Sequence, residues 1–115
     1  MQEKKGFHIL AELYGCPREM TEKIGPLRNV MLRAAEKSGF VVVGDIFHQF
    51  SPFGATGVIL ISTSHISAHT WPEHDFVAMD IYSCDGKKKA KLAFVYCKKM
   101  LKPTKIKVKE VERFR

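Results

Sequence analysis

Between Val58 and Asp85 the chain gathers its only Trp, three of its five His, a Ser/Thr cluster, carboxylates and a Cys. Imidazoles move protons near neutral pH, hydroxyls become nucleophiles once a base takes their proton, and thiols and carboxylates supply acids and bases. Three uses of this set are open. His65, His69 and His74 suggest a metal, since His65-x-x-x-His69 has zincin spacing and residues four apart also share a face of a strand. However, Ile66 stands where that motif needs Glu, and Pro72 stops a helix soon after. Ser64 or Ser67 beside His69 and Asp80 suggests a serine hydrolase, although the chain has no Gly-x-Ser-x-Gly elbow. The third use is structural: Trp71 fills the core, neighbours satisfy the histidines, and Cys84 is a small buried hydrophobe.

The elements that must position these residues can be read from hydrophobic spacing. Phe7–Tyr14 alternates as a strand and ends at Gly15-Cys16-Pro17; a polar segment to Ile24 has room for a short helical turn. Pro26 suits a first helical position, and Leu27, Val30, Met31, Ala34 and Ala35 form one apolar stripe that Gly39 ends. Phe40–Phe50 is β-rich. Its Phe40–Val43 run predicts burial on both faces, Gly44-Asp45 permits a bulge, and Ile46, His48 and Phe50 share a face. The Pro and Gly of Ser51–Gly57 predict a turn into a hairpin strand over Gly57–Thr63. Pro72 has no N–H for a central strand and breaks the chain there. Phe76–Cys84 predicts another strand, with Phe76, Ala78, Asp80, Tyr82 and Cys84 on one face.

Lys87–Leu101 predicts a helix whose Ala90, Ala93, Phe94, Cys97 and Leu101 face inward, with Pro103 beyond it. Ile106 and Val108 then alternate with lysines, as guarded edge strands do. The order β-α-β-β-β-α-β predicts an α+β two-layer sandwich, a mostly antiparallel sheet with two helices on one face, forming a single domain over 1–115.

The net charge of +7 is uneven. From Lys87 onward there are 12 Lys/Arg against 2 Glu, leaving 7 against 10 acids before it, so the basic charge belongs to the last helix and strand. That segment carries no nucleic-acid motif and reads as a solvated face, so no nucleic-acid partner is expected. No apolar run approaches the roughly 20 residues of a membrane helix and no signal peptide is evident, so a cytoplasmic protein with no membrane partner is expected. Cys16, Cys84 and Cys97 lie far apart, which favours reduced thiols over a disulfide frame or zinc ribbon.

Read as a unit, the central stretch resembles the bacterial and archaeal S-adenosylmethionine decarboxylase proenzymes. Their hallmark is Ser-Glu-Ser-His, a short spacer, His-Thr-Trp-Pro-Glu, and Cys-Gly about ten residues on. Here Ser62-Thr63-Ser64-His65 leads to His69-Thr70-Trp71-Pro72-Glu73, with Cys84 eleven residues after Glu73. The likeness extends to Gly6-Phe7-His8, to Glu12–Cys16 and to the turn His48–Gly57, covering most of residues 6–86.

The resemblance implies a chain that makes its own cofactor. Decarboxylating an α-amino acid requires an electron sink that side chains lack. In this family the serine at Ser64 attacks the carbonyl of the residue at Thr63, the chain splits between them, and a pyruvoyl group replaces the serine. That ketone forms a Schiff base with the substrate, S-adenosylmethionine, on the route to spermidine and other polyamines. By the same resemblance His69 is the processing acid/base and Thr56 stands where the family has a processing serine. Cys84 would be the proton donor, a task for which a thiol, ordinarily protonated at neutral pH, is suited. Glu73 would bind the ribose hydroxyls, while Phe50 and Trp71 would stack on adenine. The family's small protomers form homodimers with active sites at the interface; no metal is implied. Two departures stand out: Thr63 replaces Glu, and Cys84-Asp85-Gly86 inserts a residue into Cys-Gly. Thr63 opens two alternatives, a decarboxylase of ornithine or arginine and an unprocessed ligand-binding homologue.

Overall fold

The computed structural model describes residues 6–114. Six strands form one antiparallel sheet in the order β2-β3-β4-β5-β1-β6. They are β1 (Gly6–Tyr14), β2 (Val42–Gln49), β3 (Ala55–Ile61), β4 (Ser64–Trp71), β5 (Phe76–Ser83) and β6 (Lys105–Arg113). The helices are α1 (Arg18–Thr21), α2 (Ile24–Lys37) and α3 (Lys87–Leu101). The main helices α2 and α3 pack on one face of the sheet, α2 over β2 and β3 and α3 over β1 and β5. This is the expected two-layer α+β sandwich.

The predicted helical stripes build the core. Leu27, Val30, Met31, Ala34 and Ala35 of α2, and Ala90, Ala93, Phe94, Cys97 and Leu101 of α3, are all buried. They meet Ile9, Leu13, Ile59, Ile61, Ile66 and Ile81 from the inner strands. Each such aliphatic side chain, fully buried, contributes about 1.5–3 kcal/mol of transfer free energy. Gly39, at φ +85°, turns the chain out of α2 as a left-handed stop.

Three sequence expectations are corrected. Ser64–Trp71 is a full strand, one more than the order predicted. Its polar run looks like a loop by composition, yet Ile66, Ala68 and Thr70 are buried under the helices while His65, Ser67, His69 and Trp71 point to the opposite, open face. As expected, the strand stops where Pro72 begins a 3-10 turn (Pro72–His74). Phe40–Val43 is not buried on both faces: Phe40 is buried and Val42 packs against the core, but Val41 and Val43, which alternate with them, are exposed, because helices cover only one face of the sheet. Trp71 does not fill the core; it is 41% exposed on the open face. The expected bulge falls between Val42 and Gly44, and the lysine-rich strand β6 is the other sheet edge.

Candidate active site

The antiparallel register arranges the open face as cross-strand rows. At the β3–β4 hairpin end lie Leu60, His65, Tyr82, His8 and Val111. The next row holds Val58, Ser67, Asp80, Leu10 and Lys109, then Thr56, His69, Ala78, Glu12 and Lys107. The last row holds Trp71, Phe76, Tyr14 and Lys105. Chemistry-bearing residues concentrate in two clusters at opposite ends of β4.

The first cluster surrounds the hairpin tip. Ile61 pairs with Ser64, so Ser62 and Thr63 form a two-residue turn. Ser62 N–H donates to the Val41 carbonyl at 2.9 Å and holds that turn down. Ser64 has φ +153°, a backbone state non-glycine residues rarely adopt, which costs about 1–3 kcal/mol. The Thr63 carbonyl accepts a hydrogen bond from the Cys84 N–H at 3.1 Å. The Cys84 side chain is half-buried, with its Sγ 4.0 Å from the Tyr82 hydroxyl. The Thr63 hydroxyl is buried without a hydrogen-bond partner among the described residues. After Cys84 the extra residue is absorbed in a turn: Asp85 N–H donates to Ser83 Oγ at 2.9 Å, and Gly86, at φ +94°, leads into α3.

Behind Ser64, Asp80 gathers three donors. His8 Nε2 lies 2.6 Å and His65 Nε2 2.9 Å from its Oδ2, while the Ser67 hydroxyl donates to Oδ1. Burial pushes the Asp80 carboxyl up, but the hydrogen bonds from Ser67, His8 and His65 outweigh it and hold the group below the usual carboxylate range. His65 Nδ1 in turn lies 3.3 Å from Ser64 Oγ. The Arg113 guanidinium donates to His8 Nδ1 at 3.3 Å and stacks over Tyr82, 4.4 Å from the ring centre.

The second cluster lies toward Pro72. Thr56 Oγ1 and His69 Nδ1 are 3.0 Å apart. With Phe50, Phe53, Trp71 and Glu73 they line a cleft of about 430 Å³. Trp71 packs on Phe76, ring centres 5.5 Å apart, and His69 lies beside it at 6.3 Å. Two polar side chains, the half-buried Gln49 and the buried Thr70, fix this cleft. Gln49 Oε1 accepts from the Ile24 N–H at 2.8 Å, capping α2, while Gln49 Nε2 donates to the Glu22 and Gly54 carbonyls at 2.8 and 2.9 Å. Thr70 Oγ1 accepts from the Ala55 N–H at 2.8 Å and donates to the Thr21 carbonyl at 2.7 Å. Gly57 lets strand β3 pass under the Phe47 ring, which occupies the place a Cβ would take.

The structure therefore joins Thr63, Ser64 and Cys84 in one place, and Phe50, Thr56, His69, Trp71 and Glu73 in another. It does not bring Ser64 to His69: five residues along a strand span about 16 Å at ~3.3 Å each. The same extension separates His65 from His69, so the three-histidine metal idea fails in its original form. Among the described residues, the group able to hold an ion is His8, His65 and Asp80, with ligand atoms within 4.8 Å of one another. The Ser/His/Asp grouping also changes, with His65 taking the place given to His69. Sequence reasoning gave no role to His8, Gln49, Tyr82 or Arg113, and offered His65 only as a metal ligand. His65 had a signal, its place next to Ser64, but its link to Asp80 requires the strand register. Cys16 and Cys97 are buried, which pushes their thiols up to about 11 and about 12, whereas Cys84 is only half-buried.

Comparison with solved structures identifies the class first. The fold matches a crystal structure of the adenosylmethionine decarboxylase from Aquifex aeolicus, with a TM-score of 0.94 and 36% identity over 99% of this chain and 94% of that one. At the sequence level, residues 7–114 match the model of the S-adenosylmethionine decarboxylase family. The S-adenosylmethionine decarboxylase proenzyme of Persephonella marina is 45% identical over 113 residues, covering 98% of this chain and 85% of that protein. The Thermotoga maritima proenzyme is 40% identical over 110 residues, covering 96% and 85%. The chain belongs to the S-adenosylmethionine decarboxylase family, a family of carboxy-lyases. No helix among the described residues is long and apolar enough to cross a membrane.

Proposed function

We propose that the chain cuts itself between Thr63 and Ser64 to make a pyruvoyl group, and then decarboxylates S-adenosylmethionine to supply polyamine synthesis. The observation that carries the reading is the hairpin tip: a strained Ser64 follows a carbonyl already hydrogen-bonded by the Cys84 N–H. Attack of Ser64 Oγ on that carbonyl places negative charge on the Thr63 oxygen, where the Cys84 N–H stands as a preorganised donor. Rearrangement also releases the backbone strain stored at Ser64.

Ser64 is half-buried at the start of β4, beside Cys84, so a keto group formed there has a thiol next to it. When present, that group supplies the electron sink for loss of CO2. Cys84 gives a proton to the carbon that loses CO2. In the cleft that a second copy brings over this hairpin, Phe50 and Trp71 hold adenine and Glu73 accepts hydrogen bonds from the ribose hydroxyls.

His69 and Thr56 serve the Ser64 of a second copy. Each chain carries both clusters about 16 Å apart, and a two-fold arrangement of open faces brings the hairpin end of one over the Pro72 end of the other. Leu10, Ile46 and Leu60 leave apolar surface on that face, as a buried interface needs. In this homodimer His69 removes the Ser64 α-proton during elimination.

Intact-mass analysis with borohydride and S-adenosylmethionine, ornithine or arginine tests the reading. Two fragments divided at Thr63/Ser64, the second carrying a reduced S-adenosylmethionine adduct, are expected. A persistent single chain of 13.1 kDa overturns it, and an adduct with ornithine or arginine alone overturns the substrate.

A further inference from the structure

The acyl shift moves two protons: one must leave Ser64 Oγ as it attacks, and one must reach the Ser64 nitrogen as the peptide bond breaks. His69 of the same chain is too far along β4 for either. Two imidazoles do lie beside the hairpin, and their hydrogen bonds fix their tautomers. Asp80 is an acceptor only, so His65 Nε2 carries the proton it shares with Oδ2 at 2.9 Å. His65 Nδ1 is left as an acceptor, and Ser64 Oγ lies 3.3 Å from it. Arg113 is a donor only, so His8 accepts it at Nδ1 and gives its Nε2 proton to the same Asp80 oxygen.

We infer that His65 is the general base that activates Ser64 for self-cleavage, with Asp80 as the positioning residue that holds its tautomer and balances its charge. The inference rests on the self-cleaving reading and adds a residue to it. As the Ser64 Oγ to Thr63 carbon bond forms, the Oγ proton moves to His65 Nδ1. The Cys84 N–H holds the resulting oxyanion. When the carbon–nitrogen bond breaks, the same Nδ1 returns its proton to the Ser64 nitrogen, leaving an ester, a free amine and a neutral imidazole. Asp80 stays ionised throughout, with His8 and Ser67 occupying the rest of its hydrogen-bonding capacity. The groups facing His65 are thus Ser64, Asp80, His8 and Tyr82, with Arg113 reaching it only through His8. This assigns the two proton-transfer stages to different histidines, His65 to the acyl shift and the partner's His69 to the elimination.

The test follows newly translated chains by intact mass over time, with hydroxylamine added to parallel samples because it cuts esters and leaves amides. His65→Ala is expected to slow cleavage at least 100-fold, to leave no hydroxylamine-sensitive ester, and to respond to added imidazole. His69→Ala is expected to stall with the ester formed. Asp80→Asn is expected to slow cleavage and move the acid limb of its pH–rate profile to lower pH, since loss of the carboxylate makes the imidazolium harder to form. A merely structural Asp80 would leave that limb in place. Folded His65→Ala that cleaves at the wild-type rate overturns the inference while leaving self-cleavage standing; a wild-type chain that never cleaves overturns the underlying reading instead. If His65→Ala loses its circular-dichroism signature, Asp80→Asn decides, and an unmoved acid limb counts against the inference.

Discussion

The two ends of β4 are built differently. The hairpin end holds its reactive atoms with backbone geometry and a hydrogen-bonded imidazole–carboxylate chain: a two-residue turn, a positive φ at Ser64 and a main-chain donor from Cys84. The Pro72 end is a cleft of aromatic rings with an exposed Glu73, held from behind by Gln49 and Thr70. One end is suited to breaking a bond in the chain, the other to receiving a flat, polar-rimmed ligand. Bond-breaking needs atoms held to fractions of an ångström, which strained backbone supplies. Ligand binding needs shape and stacking, which a pinned loop supplies.

The largest effect is expected at Ser64. Ser64→Ala is expected to abolish cleavage and leave one species of 13.1 kDa by mass, whereas changes at the Pro72 end slow the reaction without removing its nucleophile. Next, His69→Ala is expected to slow cleavage by about 100- to 10,000-fold, the usual worth of a positioned acid/base. Mixing unfolded Ser64→Ala and His69→Ala chains and refolding them together then separates the ends: dimers in which an intact hairpin meets an intact His69 should cleave in the His69→Ala chain. No cleavage in the mixture would show that the two ends do not serve each other across copies.

Cys84→Ala separates cleavage from turnover. Its N–H remains, so cleavage should persist, while CO2 release falls by about 100-fold through loss of the thiol proton. At the cleft, Phe50→Ala is expected to raise KM about five- to tenfold, the loss of about 1 kcal/mol of stacking, with little change in cleavage rate. The smallest effect belongs to Thr63→Val. In a Ser64→Ala background it removes the unpartnered buried hydroxyl and should stabilise the fold by about 1 kcal/mol, read from a urea midpoint.

The sequence was most legible where one element decides the matter alone. The α3 stripe from Ala90 to Leu101 and the stop at Pro103 set the helix's observed bounds, and His69-Thr70-Trp71-Pro72-Glu73 carries the family signature in five consecutive residues. It was least legible at β4. Alternating Ile66, Ala68 and Thr70 carry the period of a strand, but the serines and histidines between them dominate the composition and mask it. The separation of Ser64 from His69 is masked with it, since only an extended conformation puts them about 16 Å apart. The Asp80 cluster was unreadable for another reason. His8, His65 and Asp80 come from three strands and meet diagonally across the register, a relation that no spacing along the chain expresses.

The hairpin between β3 and β4 has a mechanical consequence for a chain cut at its tip. The first piece would own β1, β2 and β3 and the second β4, β5 and β6, yet β1 lies between β5 and β6 in the sheet. Three of the five strand pairings, β3 with β4, β1 with β5 and β1 with β6, would then join one piece to the other. The pieces interlock like clasped fingers: neither can be peeled away without breaking the sheet on both sides of β1. Such a protein assembles once as a single chain and afterwards, if unfolded, must find its other half by diffusion, so refolding of the cut form should slow as it is diluted.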